Sequence, residues 1–184
     1  IAVATPAHPI RDGESDVHWW DAETRGNWLW GYVMMAHLAD SPTHIARVRH
    51  LLADLKATQD PDGYLGIYSS ASRYDHGDGE NGELWAQSRA LLALLAYYEF
   101  SGDVTYLEAV RRAVEVTLEH YPPDRSYFRS GVRTERDALT GLTHGLCYTD
   151  VLEWLYALTH DERYRVFGLR LYREFSVMPR PFPN

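Results

Sequence analysis

The sequence predicts an all-α fold built from helical hairpins of an (α/α)6 toroid, with about three hairpins making an incomplete barrel. Three observations predict it. Six segments carry helical periodicity, helices apolar on every side alternate with amphipathic ones, and the joint between the two kinds recurs along the chain.

The helices are expected at roughly 24–39, 43–59, 83–100, 104–120, 144–159 and 161–176. In the first, Trp28-Leu29-Trp30-Gly31-Tyr32-Val33-Met34-Met35-Ala36 is apolar nearly all round, so this helix should be buried on several sides. The second sets Ile45, Val48, Leu51, Leu52 and Leu55 on one stripe, with Arg47, Arg49, Asp54 and Lys56 opposite, as an outer helix would. The third returns to the inner kind through Leu91-Leu92-Ala93-Leu94-Leu95-Ala96-Tyr97-Tyr98. The fourth turns Leu107, Val110, Val114 and Leu118 inward and carries the pairs Glu108/Arg112 and Arg111/Glu115 outside. Cys147, Val151, Trp154, Leu155 and Leu158 make the fifth an inner helix again. The sixth places Tyr164, Phe167, Leu171 and Phe175 on one face, away from Arg163, Arg170, Arg173 and Glu174.

The joints between inner and outer helices run Leu38-Ala39-Asp40-Ser41-Pro42-Thr43, Phe100-Ser101-Gly102-Asp103-Val104-Thr105 and Leu158-Thr159-His160-Asp161-Glu162-Arg163. Each supplies Ser, Asp or Thr to cap the outer helix, and the copies stand about 58–62 residues apart. Three hairpins do not close a ring, and Met178-Pro179-Arg180-Pro181-Phe182-Pro183 ends the last helix as a link would. The expectation is one domain over residues 1–184, part of the toroid of a longer chain.

The 184 residues are 45% hydrophobic, enough for a sizeable core, and carry a net charge of −8. An acidic balance argues against nucleic acid or an anionic membrane as partner. The longest apolar stretch, Trp28 to Leu38, is too short to span a bilayer. The single cysteine, Cys147, excludes an internal disulfide and any multi-cysteine metal site within the sequence. Six Trp and 13 Tyr can fill a helical core or line a sugar cleft.

The short joints all fall on one end of the bundle, and the long connections, 1–23, 60–82 and 121–143, on the other. That second end also receives the N-termini of the inner helices, with their partial positive charge. Three clusters meet there: Trp19-Trp20-Asp21-Ala22-Glu23-Thr24-Arg25-Gly26-Asn27-Trp28; Gln59 to Gly66 with Glu80-Asn81-Gly82-Glu83-Leu84-Trp85; and Thr143-His144-Gly145-Leu146-Cys147-Tyr148-Thr149-Asp150. Each joins carboxylate or imidazole to an aromatic ring, the mixture a sugar site needs. The candidate binding residues are Asp21, Glu23, Trp28, Tyr64, Glu83, Trp85, Arg89, His144 and Asp150. Competing structural roles stand beside them. Asp21, Glu23 and Glu83 suit helix N-termini, His144 suits a cap, and Asp62-Gly63 suits a turn. Asp150 lies nearly two turns inside an apolar helix, where a carboxylate needs a partner or a cleft. His76, within Asp75-His76-Gly77-Asp78-Gly79-Glu80, has no regular ligand spacing around it.

Two stretches resemble the β-L-arabinofuranosidase family, glycoside hydrolase family 127. Gln59-Asp60-Pro61-Asp62-Gly63-Tyr64-Leu65-Gly66 is similar to its Gln-x-x-Asp-Gly-Tyr-Leu loop. Glu83-Leu84-Trp85 through Ala96-Tyr97-Tyr98-Glu99-Phe100-Ser101-Gly102-Asp103 is similar to its Glu-Leu-Tyr helix and the following Tyr-Tyr-x-x-Thr-Gly turn. The resemblance implies an (α/α)6 catalytic barrel, a carbohydrate substrate and removal of β-L-arabinofuranosyl units, with this stretch supplying part of the cleft. It also implies a zinc site further along the parent chain, built from cysteines and a glutamate with one cysteine as nucleophile. No cofactor is expected within these 184 residues, and Cys147 is not assigned that role. The family's Ala-Gly-His is replaced here by Gln87-Ser88-Arg89, so Arg89 stands where a sugar-contacting histidine is expected.

Two other readings remain open. Another toroid enzyme, an unsaturated glucuronyl hydrolase or a polysaccharide lyase, would act on uronates and call for cations such as Arg25 and Arg89 in the cleft. A non-catalytic helical-repeat scaffold would use the polar clusters only as caps.

Overall fold

A computed structural model describes residues 19–71, 73–74, 82–128 and 141–177. Among these the chain is helical and forms three hairpins. Helix α1 (Trp19–Leu38) pairs with α2 (Pro42–Ala57), and α3 (Glu83–Ser101) with α4 (Val104–His120). The third hairpin begins with a helical turn at Gly141–His144 and a 3-10 turn at Gly145–Cys147, continues as α5 (Tyr148–Thr159), and returns as α6 (Glu162–Ser176).

The repeated joint has one geometry. Each inner helix ends on a residue in the left-handed region: Asp40 at φ 45°, Gly102 at φ 68° and His160 at φ 56°. The next residue, Ser41, Asp103 or Asp161, is extended and caps the outer helix. Asp103 accepts from the Thr105 amide at 3.0 Å, and Asp161 from the Arg163 amide at 3.0 Å. These bonds satisfy amides that a helix start would otherwise leave bare. Ser41 makes no such bond; there Pro42 opens the helix and removes a donor instead.

Helix α3 stands between α1 and α5 and also packs against α2 and α4. Its Leu91, Ala93, Leu94, Leu95 and Ala96 are wholly buried, which explains why the segment is apolar all round. The outer helices bury one stripe each: Val48 and Leu52 of α2, Val110 and Val114 of α4, Tyr164 and Leu171 of α6. The flanking helices keep apolar side chains in solvent, Trp28, Met34, Met35 and Leu38 on α1 and Val166, Leu169 and Tyr172 on α6.

Two element boundaries differ from expectation. Helix α1 begins at Trp19 rather than near residue 24, so Asp21 and Glu23 lie inside its opening turns. The fifth helix is broken by the 3-10 turn at Gly145–Cys147. Its cause is steric: the backbone of Gly145 lies against the ring of buried Tyr127. His76, Glu80, Asn81, residues 1–18 and the proline-rich tail 178–183 lie outside the described residues.

Candidate functional site

Positions four apart on a helix share a face, so the start of α3 presents Glu83 and Gln87 on one side and Trp85 and Arg89 on another. The two faces meet different surroundings.

The first face is buried. Glu83, 1% exposed, accepts from the Tyr64 hydroxyl at 2.6 Å on Oε1 and from the Tyr74 amide at 2.6 Å on Oε2. The Tyr74 hydroxyl lies 3.0 Å from Thr117 Oγ1, and Tyr148 donates to that same oxygen at 3.1 Å. Thr117 in turn donates to Gln87 Oε1 at 3.2 Å. Tyr74 and Tyr127 pack edge-on against Tyr121. Burial first, and the Glu83 carboxylate second, push the Tyr64 phenol far above its ordinary range. The same two causes raise Tyr74, Tyr121 and Tyr127. These phenols stay protonated, so the one at Tyr64 remains a donor to the carboxylate.

The loop before this face is built to deliver Tyr64. Gly63 turns it at φ 106°, a conformation that strains any residue with a Cβ. The Asp62 carboxylate accepts from the Tyr64 amide at 3.0 Å, and this bond holds its pKa below the ordinary carboxylate range. Gln59 donates to the Gly63 and Ala109 carbonyls, each at 2.8 Å, so the loop is tied to α4. Arg73 closes it with an ion pair to Asp62 at 2.9 Å and its guanidinium over the Tyr64 ring. The turn role of Asp62-Gly63 and the placement of Tyr64 against Glu83 are one arrangement.

The second face is partly exposed at Trp85 and buried at Arg89. The Trp85 ring stacks on the His144 ring with centroids 3.7 Å apart and planes 11° from parallel. His144 is exposed and Trp85 partly so. One turn further along α3, Arg89 is 9% exposed, and its Cβ lies against the backbone of Gly26 on α1. Its Nη2 is 3.5 Å from Oδ2 of Asp150, while its buried Nε has no hydrogen-bond partner. The Asp150 side chain is 53% exposed. Asp150 thus meets a charge on the neighbouring inner helix, but it stands in the first turn of α5 and is half exposed, not nearly two turns inside an apolar helix as expected, because the 3-10 turn restarts the helix at Tyr148.

On α1, Glu23 accepts from Asn27 and Thr24 of its own helix. Trp28, half exposed, stacks on Tyr32 at 5.0 Å, and the Tyr32 hydroxyl is 2.7 Å from His44 Nδ1. The side chain of Asp21 lies outside the described residues. The structure thus joins Tyr64 to Glu83, Trp85 to His144, and Arg89 to Asp150. It leaves Glu23 and Trp28 in contacts local to the first hairpin.

The phenol cluster of Tyr74, Tyr121, Tyr127 and Tyr148 around Glu83 and Thr117 was not foreseeable from motif or spacing. It gathers tyrosines from three stretches of chain, and only Tyr121 and Tyr127 are close in sequence. An open groove of about 440 Å³ lies elsewhere, on the outer side of α4, lined by Asp62, Glu108, Arg111, Arg112, Glu115, Val116 and Glu119. It mixes both charges and includes none of Glu83, Trp85, Arg89, His144 or Asp150.

Among the described residues, no three His, Cys, Asp or Glu side chains gather as a metal would require. With one cysteine in the sequence, half-buried Cys147, these residues do not fit a thiolate zinc site. None of the described helices is long and apolar enough to cross a membrane.

A family model, that of the β-L-arabinofuranosidase GH127 catalytic domain, matches residues 2–179. No curated protein and no solved structure is matched.

Proposed function

Since the chain belongs to the family of β-L-arabinofuranosidase GH127 catalytic domains, we propose that the face of Trp85, Arg89, His144 and Asp150 is part of the cleft that holds the arabinofuranosyl unit. The domain is of the glycoside hydrolase kind and its substrate is carbohydrate. One observation carries the assignment of the cleft: a stacked Trp85–His144 pair lies one helical turn from the Arg89–Asp150 pair. A ring face accepts the C–H side of a sugar, and beside it a cation donates to hydroxyls while a carboxylate accepts from them.

Tyr64 and Glu83 take a different part in this reading. Both are buried and bonded to each other, so they position the loop and the start of α3 rather than touch sugar. Trp28 and Glu23 stay within the first hairpin, engaged by Tyr32 and by Asn27, and Asp21 stands in the opening turn of α1. Glycoside cleavage by two carboxylates needs an acid and a base or nucleophile about 5–9.5 Å apart. Glu83 is enclosed among phenols and Asp150 is engaged by Arg89, so we assign these carboxylates to positioning and binding rather than to bond cleavage.

The test is binding. Isothermal titration of the chain with methyl β-L-arabinofuranoside should show Trp85→Ala and His144→Ala each weakening affinity about tenfold. Unchanged affinity in both variants would remove the stacked pair from the cleft, and no binding of the arabinofuranoside by the unmodified chain would overturn the assignment of the cleft. With no nucleophile assigned among these residues, the chain alone is expected to leave an aryl β-L-arabinofuranoside uncleaved.

A further inference from the structure

Gly26 of α1 lies against the Arg89 Cβ on α3. A helix advances about 100° per residue, so Trp28 stands about 200° round, on the far side of α1 from that contact. Its indole is half exposed and stacks on the Tyr32 ring one turn on, with centroids 5.0 Å apart and planes 24° from parallel. The Tyr32 hydroxyl reaches Nδ1 of His44 on α2 at 2.7 Å, and those two rings meet edge-on at 5.7 Å. Three rings from two helices are thus tied into one array, and Trp28 is fixed in place while half in solvent. Nε2 of the exposed His44 has no partner among the described residues.

What surrounds the indole decides what it fits. Its neighbours on the helix surface are the positions three and four away, among them Thr24 and Gly31, both exposed, as is Asn27 beside it. A Cβ added at Gly31 would meet nothing within 4 Å, so the space next to the ring is open. A protein partner calls for further apolar side chains packed round an aromatic anchor, and the exposed Met35 and Leu38 stand two turns or more away. Polar side chains and a recess take the near places instead. A sugar ring uses that mixture, its C–H face on the indole and its hydroxyls on the side chains around it. We propose that Trp28, backed by Tyr32 and His44 and opened by Gly31, is a second carbohydrate platform that holds one ring of a polysaccharide on the flank of α1 turned away from α3. His44 Nε2 is the nearest group on α2 to bond a hydroxyl of that chain. The platform stands on its own observations and does not depend on the cleft assignment, and a glycan held at both places gains from two attachments.

The experiment is affinity electrophoresis of the full chain through gels containing soluble arabinan, beside isothermal titration with methyl β-L-arabinofuranoside. Arabinan should retard the native chain. Trp28→Ala should weaken that binding about tenfold and leave the affinity for the monosaccharide as it was. Gly31→Leu is the second variant. Leucine favours a helix over glycine, so the fold is kept, yet its side chain fills the recess, and arabinan binding should fall by a similar factor. Unchanged retardation in both variants, or none in the native chain, overturns the platform, while the titration judges the cleft separately. An equal loss of arabinan and monosaccharide binding in Trp28→Ala would place the indole in the cleft and overturn the platform as well. A native chain that sediments as a dimer, becomes a monomer in Trp28→Ala and binds no arabinan would make this flank a protein contact instead.

Discussion

Glu83→Ala should lower the stability of the domain by about 3–5 kcal/mol, because it orphans two buried donors at once. The Tyr64 hydroxyl and the Tyr74 amide both end on this carboxylate, and both residues are buried. A buried donor left unpaired costs about 1–3 kcal/mol, and the cavity left by the side chain adds to that. For a domain of this size the melting temperature should fall by roughly 10 °C. Tyr64→Phe should cost less, about 1–2 kcal/mol, since it removes one bond and leaves the Tyr74 bond in place. Urea unfolding of the two variants checks the order. A loss under 1 kcal/mol for Glu83→Ala would mean that the carboxylate does not hold the loop.

The second large effect is expected at Gly145. An alanine Cβ there would sit 2.7 Å from Cζ and Oη of Tyr127, inside van der Waals contact. Tyr127 has no room to retreat. It is fully buried and held edge-on by Tyr121 at 5.5 Å and Phe128 at 4.9 Å between centroids. Gly145→Ala should therefore cost about 2–3 kcal/mol through overpacking. It should also push away His144, its chain neighbour, and so loosen the stack on Trp85. The expected pair of results is a lower melting temperature and weaker binding of methyl β-L-arabinofuranoside. A stable variant with native affinity would show that the 3-10 turn does not set the position of His144.

Much of this architecture was legible because it rests on local chemistry. The hairpin joints were readable because caps and left-handed residues leave sequence marks, and Asp103 and Asp161 serve as the caps that their positions suggested. Inner and outer helices were separable because Leu91–Ala96 has no polar side while α2, α4 and α6 each have one. The start of α1 was missed because its opening residues, Trp19-Trp20-Asp21-Ala22-Glu23, favour a helix without showing a periodic stripe. The break at Gly145 was missed because its cause is Tyr127, a residue far away in the sequence.

The candidate site divides the same way. Asp150 stands out in the sequence as a carboxylate nearly two turns inside an apolar helix, but the 3-10 turn at Gly145–Cys147 leaves it in the first turn of α5 and half in solvent. Its partner Arg89 could be named as a departure from the family's histidine, but their meeting depends on how α3 and α5 pack. Glu83 and Tyr64 were both chosen as sugar contacts because they sit in motifs at the right end of the bundle. Their burial comes from the fold of the 60–74 loop, which presses Tyr64 onto Glu83 through bonds that no sequence spacing announces. Motif membership identified residues that matter without revealing which of them face solvent.

The central claim is that the Trp85–His144 stack and the Arg89–Asp150 pair bind one sugar between them. A crystal structure of the full chain soaked with methyl β-L-arabinofuranoside tests it most directly. The account predicts the sugar ring against the Trp85–His144 pair, one hydroxyl within about 3.2 Å of Arg89 Nε or Nη2, and a second within the same reach of Asp150. A sugar bound elsewhere, with the Arg89 and Asp150 side chains making no contact to it, would contradict the account.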